Sequence, residues 1–235
     1  LGPELEAWFY HAGLTSPYSG THTGFTGTSM VIDPLTDTIV ILLANAVHPT
    51  REWSTTSVTR REVSSCVAEA LGLVPEQVRE GWHAGHEDET AATLSVAVDL
   101  GADSAADLEL ELFTHLETAY DLLTLEATAD GGSTWVPLAG QLTAPDGEPV
   151  EVPEGQITGW GAHRAWHGEF PLADGGQPLS GEIELRATVT TDAQVRGLGA
   201  RIGRIRVRDG DRELLDTDRP DDAELVEADG WVRTS

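Results

Sequence analysis

Lysine is absent from the 235 residues, and all 14 basic side chains are arginine. Against them stand 40 acidic residues, giving a formal net charge of −26. A chain this acidic repels nucleic acid and anionic membrane, which excludes both as partners. Two readings of the acidity stand side by side: an arginine-favouring base composition with a solvated surface, or adaptation to high salt. Cysteine is nearly absent too: Cys66 is alone, so no disulfide forms within the chain and cysteine pairing says nothing of the compartment. The longest apolar run, "TIVILLANAV", is too short to span a bilayer. "LGPELEAWFY" at the start has neither the basic residues nor the apolar core of a secretory signal, and it reads as a sequence already under way.

Hydrophobic residues make up 40% of the chain, enough for a packed core in one large domain or two small ones. The chain divides near residue 75. Residues 22–33 are expected as a strand ending in "MVI", "DPLTD" as a turn, and residues 38–46 as an apolar strand covered on both faces. Val63, Cys66, Val67, Ala70 and Leu71 fall on one helical face, which makes Cys66 a buried, inert thiol. Thr59 and Glu62 fit a capping box at the start of that helix, and Gly72 with Pro75 fits its stop. Residues 75–92 read as a linker. Beyond it "TLSVAVDL", "DLELELFTHL", "DLLTLEAT", "GEIELRATVT" and "ARIGRIRVRDG" alternate apolar and polar residues, with a hairpin turn at "ADGGSTW". Short alternating strands separated by turns argue for a β-sandwich.

"SGTHTGFTGTSMVIDP" (19–34) is built of residues with almost no side chain. Glycine weakens a strand, and its presence often marks close approach of a ligand or another chain segment. The longer stretch "HTGFTGTSMVIDPLTDTIVILLANAVHP" resembles the C-terminal end of the serine β-lactamase and penicillin-binding protein superfamily. The likeness is to its class C-like and esterase-like branch, where His-Thr-Gly often replaces Lys-Thr-Gly. The match covers about residues 1–73 and includes the terminal helix. It implies that the strand walls an active-site cleft. Gly24 leaves room for substrate, and the Thr23 hydroxyl meets a substrate carboxylate or carbonyl. His22 tunes the electrostatics of the cleft. The Phe25 amide is the second donor of an oxyanion hole, a contribution of about 3–4 kcal/mol to the transition state. The superfamily's Ser-x-x-Lys nucleophile motif cannot occur in a chain without lysine, and its Tyr-x-Asn loop is not found either. Acyl transfer needs an activated nucleophile, so the chain alone is expected to be inert.

Residues 92–235 carry a second likeness. "YDLLTLEATADGGSTWVPLAG", "AWHGEFPL", "GEIELRATVTTD" and "GLGARIGRIRVRDGDRELLDTD" resemble, in order, the jelly-roll module of immune inhibitor A-type secreted peptidases and MAM-like domains. Such modules are accessory domains of extracellular enzymes. In that pattern an Asp pair stands where this chain has Gly203-Arg204. His83 with His86, and His163 with His167, have zinc-like spacings but no accompanying cysteine, and the acidic loop at 216–224 lacks the glycine of an EF-hand. No metal and no cofactor is expected. Trp135, Trp160 and Trp166 are read as sandwich core in preference to a carbohydrate platform.

The fold expected is therefore an α+β fragment at 1–74, with antiparallel strands and a C-terminal helix, then a linker at 75–92, then an all-β jelly-roll sandwich at 93–235. The expected function is that of the C-terminal part of a secreted serine hydrolase acting on a β-lactam, a D-alanyl peptide or an ester. Its partners are the N-terminal part of the same domain and a small-molecule or peptide acyl substrate, with no membrane insertion by this segment. The alternative is an extracellular binding or structural sandwich without catalysis.

Overall fold

The computed structural model describes residues 4–5, 16, 18–50, 52, 56–102, 105–145, 147–161, 163–193 and 197–234. The first layer is an antiparallel sheet of β1 (Glu4–Leu5), β2 (Gly20–Thr23), β3 (Ser29–Asp33) and β4 (Thr38–Leu42), in that spatial order. Helix α1 (Thr56–Ala70) follows, then a short 3-10 turn at Glu76–Val78.

The remaining strands are β5 (Gly81–Ala84), β6 (Ala91–Leu100), β7 (Ala106–His115), β8 (Leu122–Thr128), β9 (Val136–Pro137), β10 (Gly140–Thr143), β11 (Val150–Val152) and β12 (Gln156–Ile157). They continue with β13 (Trp166–Pro171), β14 (Ala173–Asp174), β15 (Gln177–Pro178), β16 (Gly181–Thr190), β17 (Gly199–Asp209), β18 (Arg212–Asp216), β19 (Glu227–Asp229) and β20 (Val232–Thr234), with a one-turn helix α2 (Pro220–Ala223) after β18. One sheet runs β11-β10-β13-β7-β17-β5-β20 with β18 on β17; the other runs β12-β8-β16-β6-β19 with β9 on β8. The architecture is predominantly β and antiparallel. Alternation does the work: Leu108, Leu110 and Leu112 of β7 and Ile202, Ile205 and Val207 of β17 face Leu94, Val96 and Val98 of β6 and Ile183, Leu185 and Val189 of β16 in one core.

A second, smaller cluster joins the first layer to this sandwich. Val31 of β3 and Ala68 of α1 pack with Val78, Phe113, Ala165 and Leu198. Phe113 is fully buried on the face of β7 opposite Leu112, so this end of the sheet is covered on both sides.

Several expectations are corrected. The strand expected at 22–33 is two strands. Between them the Gly24 N–H donates to the Thr28 carbonyl at 2.8 Å, and Gly27 adopts φ +96°, a conformation that L side chains rarely adopt. β4 is covered on one face only: Ile39, Ile41 and Leu43 are 64%, 62% and 82% exposed. Helix α1 begins before Thr59, and its buried positions are Arg60, Ser64 and Ala68, so Cys66 lies exposed. An i, i+4, i+8 row of Arg, Ser and Ala has no apolar signature, because the helix approaches the sheet with small residues and a single cation. Gly72 does end the helical segment in the left-handed conformation, at φ +63°.

Residues 75–92 do not act as a linker. β5 lies between β17 and β20 and delivers Trp82 and Ala84 to the sandwich core. We therefore expect residues 75–235 to melt cooperatively as a fragment. Residues 93–235 should lose on the order of 3–5 kcal/mol, the cost of deleting a buried aromatic. Urea unfolding of the two fragments measures the difference, and equal midpoints would show that β5 is dispensable.

Candidate functional site

The site that the sequence singled out is the end of β2 and the turn after it. Register pairs His22 with Met30 and Met30 with Ile41, and Gly20 with Ile32 and Ile32 with Ile39. Residues directly opposite in neighbouring strands share a face. His22 therefore lies on the bare apolar face of this sheet, beside Met30 and Ile41. Thr23 pairs with Ser29, on the opposite face that α1 and the sandwich cover. His22 and Thr23 meet only at the edge of β2. The His22 Nδ1 lies 2.9 Å from the Thr23 carbonyl, which makes Nδ1 the donor and leaves Nε2 to act outward.

Gly24 has a local reason to be glycine. A Cβ there would stand 2.0 Å from the Thr28 Oγ1. Phe25 lies at the tip of the turn with its ring 73% exposed. The turn is tied from three directions. The Gly27 N–H donates to the Gly24 carbonyl at 3.0 Å, the Ala46 N–H donates to the Thr26 carbonyl at 2.7 Å, and the Arg60 Nη2 donates to the Gly24 carbonyl at 2.8 Å. Sequence reasoning missed Arg60. Its only sequence signal is its place in the i, i+4 row with Ser64 and Ala68.

At the base of the layer Asp33 is buried, and its carboxylate accepts from the Ser16 and Thr36 hydroxyls and the Leu35 amide. This locks the "DPLTD" turn as an Asx-type turn.

The histidine pairs do not converge as zinc sites. His83 and His86 have ring centroids 5.5 Å apart and line a cavity of about 300 Å³ with Glu62, Ser65, Glu87 and Arg201. Burial lowers the pKa of His83, helped by Arg201 and His86. His163 stacks on His115 at 5.6 Å and meets Trp160 edge-on at 5.4 Å, and burial lowers its pKa. His167 lies elsewhere, bonded to Glu111 at 2.9 Å. In the acidic loop, Arg204 grips Asp216 through its Nε and Nη2, and its Nε lies 3.0 Å from Asp218. The Arg204 guanidinium holds Asp216 down to a pKa of about 2. Of the three tryptophans, Trp166 packs against the sandwich core, whereas Trp135 is covered by the Arg186 guanidinium at 3.6 Å.

Among the described residues one group of metal-type ligands does converge. Carboxylate oxygens of Glu117 and Asp121, from the β7–β8 loop, and of Asp192, from the β16–β17 loop, lie within 4.8 Å of one another. The same proximity stores a proton. Burial, then Asp192 and Asp121, push the Glu117 carboxyl up to about 7. Burial likewise raises Asp121, against the pull of the Asp192 and Glu117 amides.

The chain matches no protein-family model. No curated protein matches it either.

The carboxyl trio makes stability pH-dependent in a stated direction. A carboxyl with a raised folded-state pKa binds a proton more readily folded than unfolded, so stability rises as pH falls from above 7 toward 4.5. Glu117→Gln should raise the melting temperature at pH 8 and flatten its dependence on pH over that window. An unchanged profile would show that the trio carries no shared proton.

Proposed function

We propose that the chain is the C-terminal portion of a secreted serine hydrolase of the β-lactamase and penicillin-binding type. In this reading it supplies one wall of the active site and carries an accessory jelly-roll sandwich. One observation carries the reading: His22 lies in register on an apolar sheet face that nothing among the described residues covers. Ile39, Ile41 and Leu43 would each gain about 1.5–3 kcal/mol on burial. A face of this kind marks a lost partner. In this reading the occupant is the nucleophile-bearing part of the hydrolase, with its serine beside the C-terminal end of β2, past the residues that β1 pairs.

The chemistry assigned to this wall is modest. Phe25 contributes a backbone donor to the oxyanion and Gly24 a close approach of backbone to ligand, while the Thr23 hydroxyl, on the face opposite His22, meets substrate only at the end of β2. His22 acts through Nε2 on the hydroxyl network around the nucleophile. The substrate is a β-lactam, a D-alanyl peptide or an ester. A second reading, an extracellular binding sandwich, draws on a cleft of about 460 Å³ on the outer face of the sandwich, lined by Asp107, Glu109, Gln141, Glu151 and Glu169.

Ile41→Asp separates the two. In the chain alone it should leave the melting temperature unchanged, because Ile41 is 62% exposed. In the chain joined to the polypeptide encoded ahead of it, it should cost about 2 kcal/mol or more and abolish labelling by an active-site serine probe. The chain alone should turn over neither a chromogenic β-lactam nor a p-nitrophenyl ester. Hydrolysis that tracks the purified chain defeats the claim that its nucleophile lies elsewhere, and a joined protein indifferent to Ile41→Asp defeats the hydrolase reading.

A further inference from the structure

We propose that Arg60 is a positioning residue: it orients and polarises the peptide unit whose N–H belongs to Phe25. The catalytic purpose of this contact rests on the hydrolase reading above. The Gly24 carbonyl and the Phe25 N–H are the two ends of one planar peptide unit and point in opposite directions. Whatever fixes the carbonyl therefore aims the amide. The Gly24 oxygen accepts two bonds, from the Gly27 N–H at 3.0 Å and from the Arg60 Nη2 at 2.8 Å. Both of its lone pairs are thus engaged.

The guanidinium bond is the unusual one. Arg60 is only 6% exposed, and its contact spans 36 residues. A buried cation is costly, and closing the turn does not require one. The turn is already closed by the Gly24 N–H on the Thr28 carbonyl at 2.8 Å and by the Ala46 N–H on the Thr26 carbonyl at 2.7 Å. What a permanent positive charge adds is polarisation. A charge-assisted bond to the carbonyl draws electron density toward its oxygen and leaves the N–H at the far end more acidic, a cooperative effect along the peptide. An oxyanion forming opposite the Phe25 N–H then meets a pre-aimed and strengthened donor. Ser64 and Ala68, one and two turns along the same buried row of α1, are small enough to let the helix lie close to the sheet.

The test has two arms. In the 235-residue chain, labelled with ¹⁵N, Arg60→Met should move the Phe25 amide resonance upfield in both dimensions, while amides of β3 and β4 stay in place. Arg60→Lys, which keeps the charge, should restore most of the shift. In the chain joined to its nucleophile-bearing part, Arg60→Met should slow acylation by a serine probe about tenfold or more, with unchanged probe affinity and partial rescue by lysine. A merely structural role would change affinity and rate together and would not distinguish lysine from methionine. Should Arg60→Met fail to melt cooperatively, Arg60→Gln, which keeps a donor and drops the charge, replaces it in both arms. A Phe25 resonance that stays put in a folded variant overturns the proposal, as does acylation at the wild-type rate. A wild-type joined protein that forms no acyl-enzyme overturns the hydrolase reading and the catalytic half of this proposal with it. That failure is distinct from failure of Arg60 alone, in which the wild type acylates and the methionine variant matches it.

Discussion

The structure depends on one end of one strand being buried on both sides. Along most of β7, alternate residues point into the sandwich core and out to solvent. At its end Leu112 faces the core, and Phe113, on the opposite face, is equally dry. The cover over Phe113 is a cluster of Val31 and Ala68 from the first layer with Val78, Ala165 and Leu198. The two-layer sandwich thus carries a third layer over one corner, joined to it through this cluster. Cys66, by contrast, is on the outer side of α1, and the helix is anchored by Ser64, Ala68 and Arg60 together with the half-buried Val67.

Charge pairing sets the register of the sheet that carries Phe113. Arg204, Arg206 and Arg208 of β17 lie opposite Glu111, Glu109 and Asp107 of β7. The Arg206 guanidinium meets Glu109 at 3.0 Å and lies 3.6 Å from Asp216. These pairs are only partly exposed, with the Arg206 and Glu109 side chains at 24% and 18%. A slip by one residue would turn these side chains onto the core face and the leucines to water. The arginines thus serve register, and their planar forks suit carboxylates on two neighbouring strands. The like-charge clusters left over, such as Glu117 with Asp121 and Asp192, are where the acidity of the chain is felt as a raised pKa.

The turn after β2 joins the fold to the proposed chemistry. Glycine at 24 answers first to Thr28, and glycine at 27 to a left-handed backbone. A bare stretch of sequence therefore has a local cause here, whatever lies against it. The more telling feature is the face on which His22 stands. An apolar row of Met30, Ile41 and their neighbours continues across β3 and β4 with no cover among the described residues, while the other face of the same sheet is packed.

The sandwich strands, the "ADGGSTW" turn, the "DPLTD" turn and the Gly72 stop were legible in the sequence by themselves. Each rests on a local rule: alternation by two, turn residues at fixed offsets, or glycine at positive φ. The break inside 22–33 was not legible, because it depends on Thr28 reaching back over Gly24. Nor was the place of β5. Four residues between two strands distant in sequence carry no periodic signal of their own. The buried row of Arg60, Ser64 and Ala68 was hidden for the same reason: its pattern is polar, and only the approach of the β3–β4 sheet decides that it is inside. His22, Thr23, Gly24 and Phe25 could be found from their order in the chain. That a cation on a helix 36 residues away holds the Gly24 carbonyl was decided by packing, since it follows from contact between segments far apart in sequence.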